Sequence, residues 1–490
     1  MKILAFLLCL PLPAFATTFS VQLADDLVDE PVDGRLVVML WEVDENGEAA
    51  HPYYGSYFNP QPRFGMDVED WSGGEVRVID AADGQDAFPV ALADLPAGTY
   101  DAAAFLDRNR ITGEWDREPG NLVGPVVRFE AGDDVALVLD DMIRERPSFE
   151  REDVEEFTIE STMLSAFRGE PVTMNAAVIY PTNFDPDRKY PVVYTIPGFS
   201  GTHRSALRKA EWFAALRPDA FIIGLDPDSP NGHTLFVDSR VNGPCGTALV
   251  DELIPALEAK YPLIAEPWAR VVTGHSSGGW SSLWLALEHP ETFGACWSTG
   301  PDPVTFERFE LIDIYTWDNA FVRDGEPVSA MREDGRSIQS VRAETQLEDV
   351  LGPDNASGQQ WDSWQACWGT PSGDDPRVAR PLFDPITGAI DPVEAEAYRA
   401  FDIVQRLRAD PQRYLPIFAT NVRLLCGEED DYYLDEAVRL MIAELDKHEL
   451  PDGPGYVQLI AGDHGQAFFQ QPEMQAIPAQ IAEHFEQHRN

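Results

Sequence analysis

The chain has 490 residues, of which 44% are hydrophobic, so it can form a large core and two or three domains. Its 36 lysine and arginine residues against 84 aspartate and glutamate residues give a formal net charge of −48 at pH 7. This charge repels phosphate backbones, which argues against nucleic-acid binding and makes neutral substrates more natural than polyanionic ones.

The first 16 residues have the pattern of a secretory signal peptide. A lysine at position 2 precedes the apolar run Ile3 to Leu12, and Ala14-Phe15-Ala16 forms a small-x-small cleavage site. Cleavage after Ala16 removes Cys9. The apolar run is too short for a membrane span, and no later stretch reaches the roughly 20 apolar residues that a span needs. We therefore predict an exported protein, periplasmic or extracellular, without a membrane anchor.

Residues 17–147 have the pattern of an all-β domain. Short apolar runs alternate with turn residues and no long helical period appears, which is typical of a sandwich or an immunoglobulin-like domain. The predicted strands are Phe19 to Leu23, Arg35 to Trp41, Glu75 to Ile79, Thr99 to Phe105 and Val135 to Leu139. A charged linker with a proline at position 147 marks the boundary.

Residues 148–490 change to fully apolar strands that alternate with helices, which predicts an α/β domain with a largely parallel sheet covered on both faces. An antiparallel pair, Phe157 to Ser161 and Val172 to Tyr180, is expected to open the domain around a turn at Arg168-Gly169-Glu170. The later predicted strands are Val192 to Ile196, Phe221 to Leu225, Ala269 to Val272, Phe293 to Ser298, Val422 to Cys426 and Tyr456 to Ile460. A long insertion at about residues 300–416 interrupts this alternation and is expected to form a lid or a wall.

Four cysteines remain after signal cleavage, in an oxidising compartment that permits disulfides. Cys296 and Cys426 lie in apolar strand-like segments and are expected to be buried thiols. Cys245 and Cys367 lie in segments rich in glycine and tryptophan, and we expect one disulfide between them. No cysteine and histidine spacing resembles a zinc site, so no metal or other cofactor is expected.

The segment Gly274-His275-Ser276-Ser277-Gly278 is the strongest functional signal in the chain. It follows an apolar strand and precedes a helix, which is the context of a nucleophile elbow, and it predicts Ser276 as the nucleophile. Gly274 and Gly278 let neighbouring backbone pass closely. Ser277 does not fit the role of nucleophile, because a Gly-x-Ser-x-Gly motif centred on Ser277 would have His275 at the position of the first glycine.

A serine nucleophile needs a base, and that base needs a carboxylate to orient it. His464 follows the last predicted strand and is the predicted base, while His275 is expected to shape the pocket. Asp430 stands three residues past Gly427 and is the preferred acid, with Asp431 and Glu429 as alternatives.

The oxyanion formed during acyl transfer needs two backbone N–H donors. The amide of Ser277 is one candidate. The second is expected in the loop after the strand that ends at Ile196, where Gly198 permits a tight turn and Phe199 is the candidate donor.

From about Phe157 to Gln487 the chain resembles the putative-esterase family of α/β-hydrolases, which includes feruloyl and acetylxylan esterases, S-formylglutathione hydrolases, enterochelin esterases and mycolyltransferases. The matching stretches are Ile196 to Phe199, Gly274 to Gly279, Gly427 to Asp430 and Asp463-His464. Two further stretches, Asp238 to Gly246 and Gly300 to Val304, look like segments of secreted members of the family. The resemblance implies an α/β-hydrolase fold and an esterase, and it leaves the substrate open.

The leading hypothesis is an exported serine esterase that acts on a small-molecule or carbohydrate-linked ester. A serine peptidase or an acyltransferase on the same fold is the alternative within enzymes. The alternative that is not an enzyme is a binding protein whose hydrolase domain has lost its catalytic activity. The sequence does not indicate an oligomeric state.

Overall fold

A computed structural model of the protein describes residues 17–44, 46–49, 60–81, 86–108, 112–113, 115–147, 149, 151–373 and 375–489. The predicted signal peptide lies outside these residues. The chain divides into two compact units: residues 1–110 with 115–145, and residues 111–114 with 146–490.

The described residues of the first unit form two β-sheets. Their strands are β1 (Thr18–Leu23), β2 (Val32–Glu42), β3 (Arg63–Trp71), β4 (Val76–Ile79), β5 (Asp86–Phe88), β6 (Thr99–Asp107), β7 (Leu122–Val123), β8 (Val127–Glu130), β9 (Asp134–Leu139) and β10 (Asp141–Met142). One sheet has the order β4-β1-β9 and the other β10-β7-β6-β2-β3-β5, with β8 also paired to β6. Alternate residues of β1 and β2, such as Phe19 and Leu36, enter one shared core, which gives the expected sandwich.

The second unit contains a mostly parallel sheet with helices on both faces. Its strands are β11 (Val154–Glu160), β12 (Thr173–Ile179), β13 (Val192–Ile196), β14 (Phe221–Leu225), β15 (Asp238–Ser239), β16 (Gly243–Pro244), β17 (Arg270–His275), β18 (Ala295–Thr299), β19 (Val322–Arg323), β20 (Glu326–Pro327), β21 (Ser329–Glu333), β22 (Arg336–Ser340), β23 (Val422–Gly427) and β24 (Tyr456–Ile460).

Its helices are α1 (Thr162–Arg168), α2 (Ala206–Trp212), α3 (Cys245–Ala248), α4 (Ile254–Lys260), α5 (Ser277–Glu288), α6 (Val341–Leu351), α7 (Gln360–Trp368), α8 (Pro392–Tyr398), α9 (Ile403–Ala409), α10 (Pro411–Thr420), α11 (Leu434–Leu445), α12 (Gln466–Phe469) and α13 (Pro472–Arg489). A π-helical segment, Leu249–Leu253, joins α3 to α4. Among the described residues, no helix is long and apolar enough to cross a membrane.

In the described part of the chain the main sheet has eight strands, in the order β11-β12-β14-β13-β17-β18-β23-β24. The pairs β11/β12 and β12/β14 are antiparallel, and the pairs from β14 through β24 are parallel. Neighbouring residues of one strand enter opposite cores: Val272 packs on one face and Val271 on the other. Burial on both faces explains why the strands are continuous apolar runs.

The opening pair differs from the sequence expectation in its connection. Helix α1, Thr162–Arg168, lies between the two strands and ends at Gly169, within the segment around which the pair was expected. The Ser161 hydroxyl accepts the Leu164 N–H at 3.1 Å and begins the helix. Gly169, with φ of 78°, ends it in the left-handed conformation that glycine adopts without strain. The strands still pair antiparallel, as predicted.

The predicted disulfide is corrected by the structure, which has Cys245 and Cys367 as free, buried thiols. The Cys367 thiol donates to the main-chain oxygen of His233 at 3.1 Å, and the Cys245 thiol donates to that of Asn242 at 3.6 Å. Each sulfur therefore has its own acceptor inside the packed core. Cys296 and Cys426 are buried thiols, as expected.

The insertion between β18 and β23 carries helices α6 to α10 and the hairpins β19/β20 and β21/β22. The buried Asp402 joins the beginning of the insertion to the second half of the insertion. Its Oδ2 accepts the Phe306 N–H at 2.8 Å and the hydroxyls of Thr305 and Tyr315 at 3.0 Å each. Its Oδ1 accepts the Gln405 N–H at 2.9 Å and caps α9.

We expect Asp402→Ala to lower the free energy of unfolding by about 2–4 kcal/mol, because it leaves buried donors without an acceptor. Urea unfolding followed by tryptophan fluorescence measures the change. Asp410→Ala is the matched control, since Asp410 also caps a helix, α10, but is exposed. It should cost about 1 kcal/mol. Equal losses in both variants would contradict the role given to Asp402.

Candidate active site

Strands β13, β17, β18, β23 and β24 run parallel, so their carboxyl ends meet at one edge of the sheet. The loops that follow these strands carry Gly198, Ser276, Asp302, Asp430 and His464. In an open α/β sheet this edge is where reactive groups from different strands come together. The residues that the sequence singled out are therefore gathered by the strand order.

Ser276 lies on a sharp turn between β17 and α5, with φ of 59° and ψ of −127°. A side chain at Gly274 would collide with the backbone of Gly278, and one at Gly278 would collide with the carbonyl oxygens of Ile196 and Pro197. Both glycines are therefore required by close backbone packing. The strand, turn and helix predicted around Ser276 are all present.

His464 and Asp430 form a buried pair. The Nδ1 atom of His464 lies 2.6 Å from Oδ2 of Asp430, whose side chain is fully buried. The other oxygen of Asp430 accepts the N–H groups of Tyr432 at 3.0 Å and Leu434 at 3.4 Å. These bonds fix the carboxylate and direct it at the imidazole.

The other two candidate acids, Asp431 and Glu429, lie in different environments from Asp430. Oδ2 of Asp431 accepts the main-chain N–H of His464 at 3.2 Å, so it holds the loop rather than the ring. Glu429 is exposed. Geometry thus favours Asp430 among the three candidates.

The charges around His464 raise its pKa. Burial alone would lower the pKa of this imidazole, but the Asp430 carboxylate outweighs burial, and Asp302 and Asp431 add to its effect. The pKa of His464 is therefore above its usual value. The protonated ring is therefore stabilised inside the protein.

His275 contacts His464 through both its ring and a hydrogen bond. Its Nε2 lies 3.1 Å from the main-chain oxygen of His464, and the two ring centroids are 4.4 Å apart. The rings of Phe468 and Phe469 also pack against His275, with centroids 5.9 and 4.7 Å away. His275 therefore contacts both the main chain and the ring of His464, and its pocket-shaping part stays a prediction.

The loop after β13 passes beside Ser276. A Cβ atom at Gly198 would lie 3.3 Å from Cβ of Ser276, so Gly198 and Ser276 are immediate neighbours. The turn closes with the Gly201 N–H donating to the Gly198 oxygen at 3.0 Å. Phe199 lies within this turn. The amide of Ser277 begins α5, where unpaired N–H groups and the helix dipole favour negative charge.

His233 holds the loop after β13 in place. The sequence did not reveal this role. Its Nδ1 accepts the Leu235 N–H at 3.0 Å, so its Nε2 carries the hydrogen and donates to the Pro197 oxygen at 3.0 Å. Burial lowers the pKa of His233 to about 4, so the ring stays neutral. The His233 main-chain oxygen accepts the Ser363 hydroxyl of α7 at 2.9 Å, which links the loop to the insertion.

Asp302 is the second residue of the site that sequence reasoning missed. Its Oδ1 accepts the Ser276 hydroxyl at 3.4 Å, and its Oδ2 accepts the Trp364 indole N–H at 2.6 Å. Within the described residues no hydrogen bond joins the Ser276 hydroxyl to His464. A usable signal was its position, because Asp302 follows strand β18 at the edge of the sheet that carries Ser276.

Burial raises the pKa of Asp302 to about 6, against the opposing effect of its hydrogen bond from Trp364. The side chain is 1% exposed. A carboxyl group in such a place is unusual, since a buried charge is costly without a partner.

Among the described residues, no cluster of three or more histidine, cysteine or acidic residues is arranged to hold a metal ion.

A mostly parallel sheet with a serine on a strand-turn-helix elbow, and a histidine and an aspartate on later loops of the same edge, defines the α/β-hydrolase fold. Residues 171–384 match the family model described as putative esterase. The match confirms the resemblance to that family and supports ester hydrolysis. It includes Ser276 and ends before Asp430 and His464.

Solved structures of esterases are similar over two thirds of this chain. A ferulic acid esterase has 14% identity and a TM-score of 0.41 over 68% of this chain and 98% of its own. An S-formylglutathione hydrolase from Agrobacterium tumefaciens has 14% identity and a TM-score of 0.38 over 68% and 94%. A ferulic acid esterase from Anaeromyces mucronatus has 13% identity and a TM-score of 0.33 over 68% and 93%. No curated protein matches the chain.

We expect Asp430→Asn to lower the pKa of His464, because it removes the nearest charge that stabilises the imidazolium. The measurement is an NMR titration of the histidine ring signals. Asp431→Asn is the matched control and should cause a smaller decrease, since Asp431 contacts the main chain of His464. A larger effect of Asp431→Asn would overturn the choice between the two acids.

Proposed function

We propose that this protein is an exported serine esterase that cleaves carboxylic esters through a Ser276-His464-Asp430 triad and an acyl-enzyme intermediate. The observation that carries the proposal is the buried His464-Asp430 pair at 2.6 Å, on the sheet edge where the Ser276 elbow lies. The family match over residues 171–384 adds ester hydrolysis to that geometry. Export rests on the sequence of residues 1–16 alone.

In the first half of the reaction the Ser276 oxygen attacks the acyl carbon, and its proton passes to Nε2 of His464. Asp430 on Nδ1 holds the ring in the tautomer that leaves Nε2 free to accept. The carbonyl oxygen becomes negative, and the amides of Ser277 and Phe199 are the proposed donors to it. The intermediate then collapses as His464 gives its proton to the departing alkoxide, which leaves as the alcohol.

In the second half, water attacks the acyl carbon of the ester that now links the substrate to Ser276. His464 takes a proton from the water and then returns it to the Ser276 oxygen as that bond breaks. The products are the carboxylic acid and the free enzyme. The Ser276 hydroxyl turns from Asp302 to His464 at the start of each cycle.

We expect Ser276→Ala to lower kcat/KM for p-nitrophenyl acetate and butyrate at least about 1,000-fold, because no other group replaces the nucleophile. Release of p-nitrophenol measures the rate. The control is Ser337→Ala, which removes an exposed hydroxyl from β22 and should leave the rate unchanged.

Ester turnover that survives Ser276→Ala would sink the mechanism. A wild-type protein inactive on all simple and carbohydrate-linked esters would favour the binding protein instead. Faster cleavage of peptide amides than of esters would favour a peptidase, and transfer to an added alcohol that exceeds hydrolysis would favour an acyltransferase.

We expect kcat/KM for a neutral ester to rise with pH with a midpoint above 6.5, the usual pKa of histidine. Only the neutral imidazole accepts the serine proton, and a raised pKa keeps His464 protonated to a higher pH. Activity is therefore present above the pKa of His464 and lost as the pH falls through it. A pH profile of initial rates measures the midpoint, and a value below 6.5 would contradict the electrostatics described for the pair.

A further inference from the structure

A pocket of about 470 Å³ lies at the amino ends of β18, β23 and β24, against helix α13. Its lining includes Trp297, Asn421, Arg423, Tyr456 and Gln480. The proposed triad residues follow the carboxyl ends of strands in the same sheet. Because these strands are parallel, the pocket and the candidate active site lie at opposite edges of the sheet.

Arg423 brings a positive charge to this pocket. The residue is 6% exposed, and its guanidinium carbon lies 4.6 Å from the centroid of the Trp297 ring. Its Nη1 donates to the main-chain oxygens of Thr420 at 3.1 Å and Asn421 at 3.0 Å. These contacts use one nitrogen and one face of the guanidinium, and they fix its orientation.

The other edge of the Arg423 guanidinium is unused. Within the described residues its Nε and Nη2 form no hydrogen bond, and neither nitrogen is sealed from solvent. Since Arg423 lines the pocket, this edge is open to it. The N–H groups of Nε and Nη2 point in one direction and form the fork that holds both oxygens of a carboxylate.

The charge of Arg423 also lacks a partner. In the described part of the chain, no aspartate or glutamate forms an ion pair with it. Burial lowers the pKa of Arg423, and the groups that oppose this effect are the Cys296 thiol and the Tyr456 hydroxyl. Burial raises the pKa of Cys296 to about 12 and also raises that of Tyr456, so both groups are neutral at pH 7. A cation this buried is costly without an anion beside it.

Gln480 adds a second unused donor to the same pocket. Its Oε1 accepts the Trp297 indole N–H at 2.8 Å and the Tyr456 hydroxyl at 3.0 Å. Two donors on one atom establish which end of the amide is the oxygen. The Nε2 of Gln480 forms no hydrogen bond with any described residue, so its N–H groups remain for a ligand in the pocket.

The lining also limits what kind of anion fits. One guanidinium supplies one positive charge, while the exposed Glu483 at the same pocket accepts the Gln487 amide N–H at 3.0 Å and stays negative. Together with the net charge of −48, this acid disfavours ligands that carry more than one negative charge. The rings of Tyr456 and Pro454 offer apolar walls to the rest of the ligand.

We propose that this pocket is a binding site for an organic monocarboxylate with an uncharged, ring-shaped body. Both carboxylate oxygens accept the Nε and Nη2 hydrogens of Arg423, and Gln480 donates its amide N–H to one of them. The body of the ligand packs against Tyr456. This site stands apart from the proposed esterase function, because none of its groups belongs to the triad or to the oxyanion loop.

The first test uses the full wild-type chain and three probes: benzoate, benzamide and inorganic phosphate. Isothermal titration calorimetry at pH 7 gives Kd for each. We expect benzoate to bind with a Kd below about 1 mM, as suits a ligand of its size. Benzamide has the same shape without the charge and should bind at least about 10-fold more weakly, and phosphate, which lacks the ring, should also bind more weakly.

Three results of this titration overturn the inference. Benzamide that binds as tightly as benzoate removes the need for a carboxylate. Phosphate that binds as tightly removes the organic body. Benzoate that does not bind at about 10 mM removes the site itself.

The second test places the binding at Arg423. We expect Arg423→Gln to weaken benzoate binding at least about 10-fold, because it removes the charge and the fork. Arg336→Gln is the matched control: it removes the same charge from an exposed position on β22 and should leave Kd unchanged. Equal Kd values for Arg423→Gln and the wild type, or equal losses in both variants, overturn the inference.

A further variant keeps the test decisive if Arg423→Gln fails to fold. Gln480→Glu retains an oxygen for Trp297 and Tyr456 but replaces the free donor with a negative oxygen, so benzoate should bind at least about 10-fold more weakly. Ala479→Glu adds the same charge at the exposed neighbouring position of α13 and should leave Kd unchanged. Benzoate binding that Gln480→Glu leaves intact lies elsewhere on the protein and contradicts the proposed site.

Discussion

The candidate active site depends on one close backbone approach, between the start of α5 and the loop after β13. A side chain at Gly278 would collide with the carbonyl oxygens of Ile196 and Pro197, so only glycine lets these two segments meet. Their meeting brings Gly198 against Ser276 and sets the proposed oxyanion donors beside the nucleophile. The positive φ of Ser276 is held in place by the strand and helix on either side, which is how strained backbone persists at functional sites.

The insertion between β18 and β23 belongs to this site through buried polar contacts. Trp364 of α7 holds Asp302, and Ser363 of the same helix bonds to His233, which in turn fixes Pro197. One helix of the insertion therefore orients both the Asp302 carboxyl and the loop that carries Pro197, and both lie next to Ser276. Because buried polar groups are costly when unpaired, these contacts make the insertion part of the catalytic edge rather than a loose cover.

Much of the second unit could be predicted because its strands are buried on both faces. The continuous apolar runs ending at Ile196, Val272 and Cys426 are all strands, and the serine and histidine loops follow them. The helix α1 was missed because its seven residues are too few to show a clear period. The cysteine pairing was wrong because pairing depends on where the thiols point, and each thiol here has its own carbonyl acceptor.

The sequence by itself determined the class of site: a serine on a glycine-flanked turn, a histidine after the last strand and an acid after the strand before it. These are local signals, carried by a few adjacent residues. Only the tertiary structure decided between Asp430 and Asp431, since both follow the same strand and only the fold directs one at the ring and the other at the backbone. It alone brought Asp302 to Ser276 and left Glu310 unpaired, because such contacts join segments far apart in the chain and leave no pattern within either one.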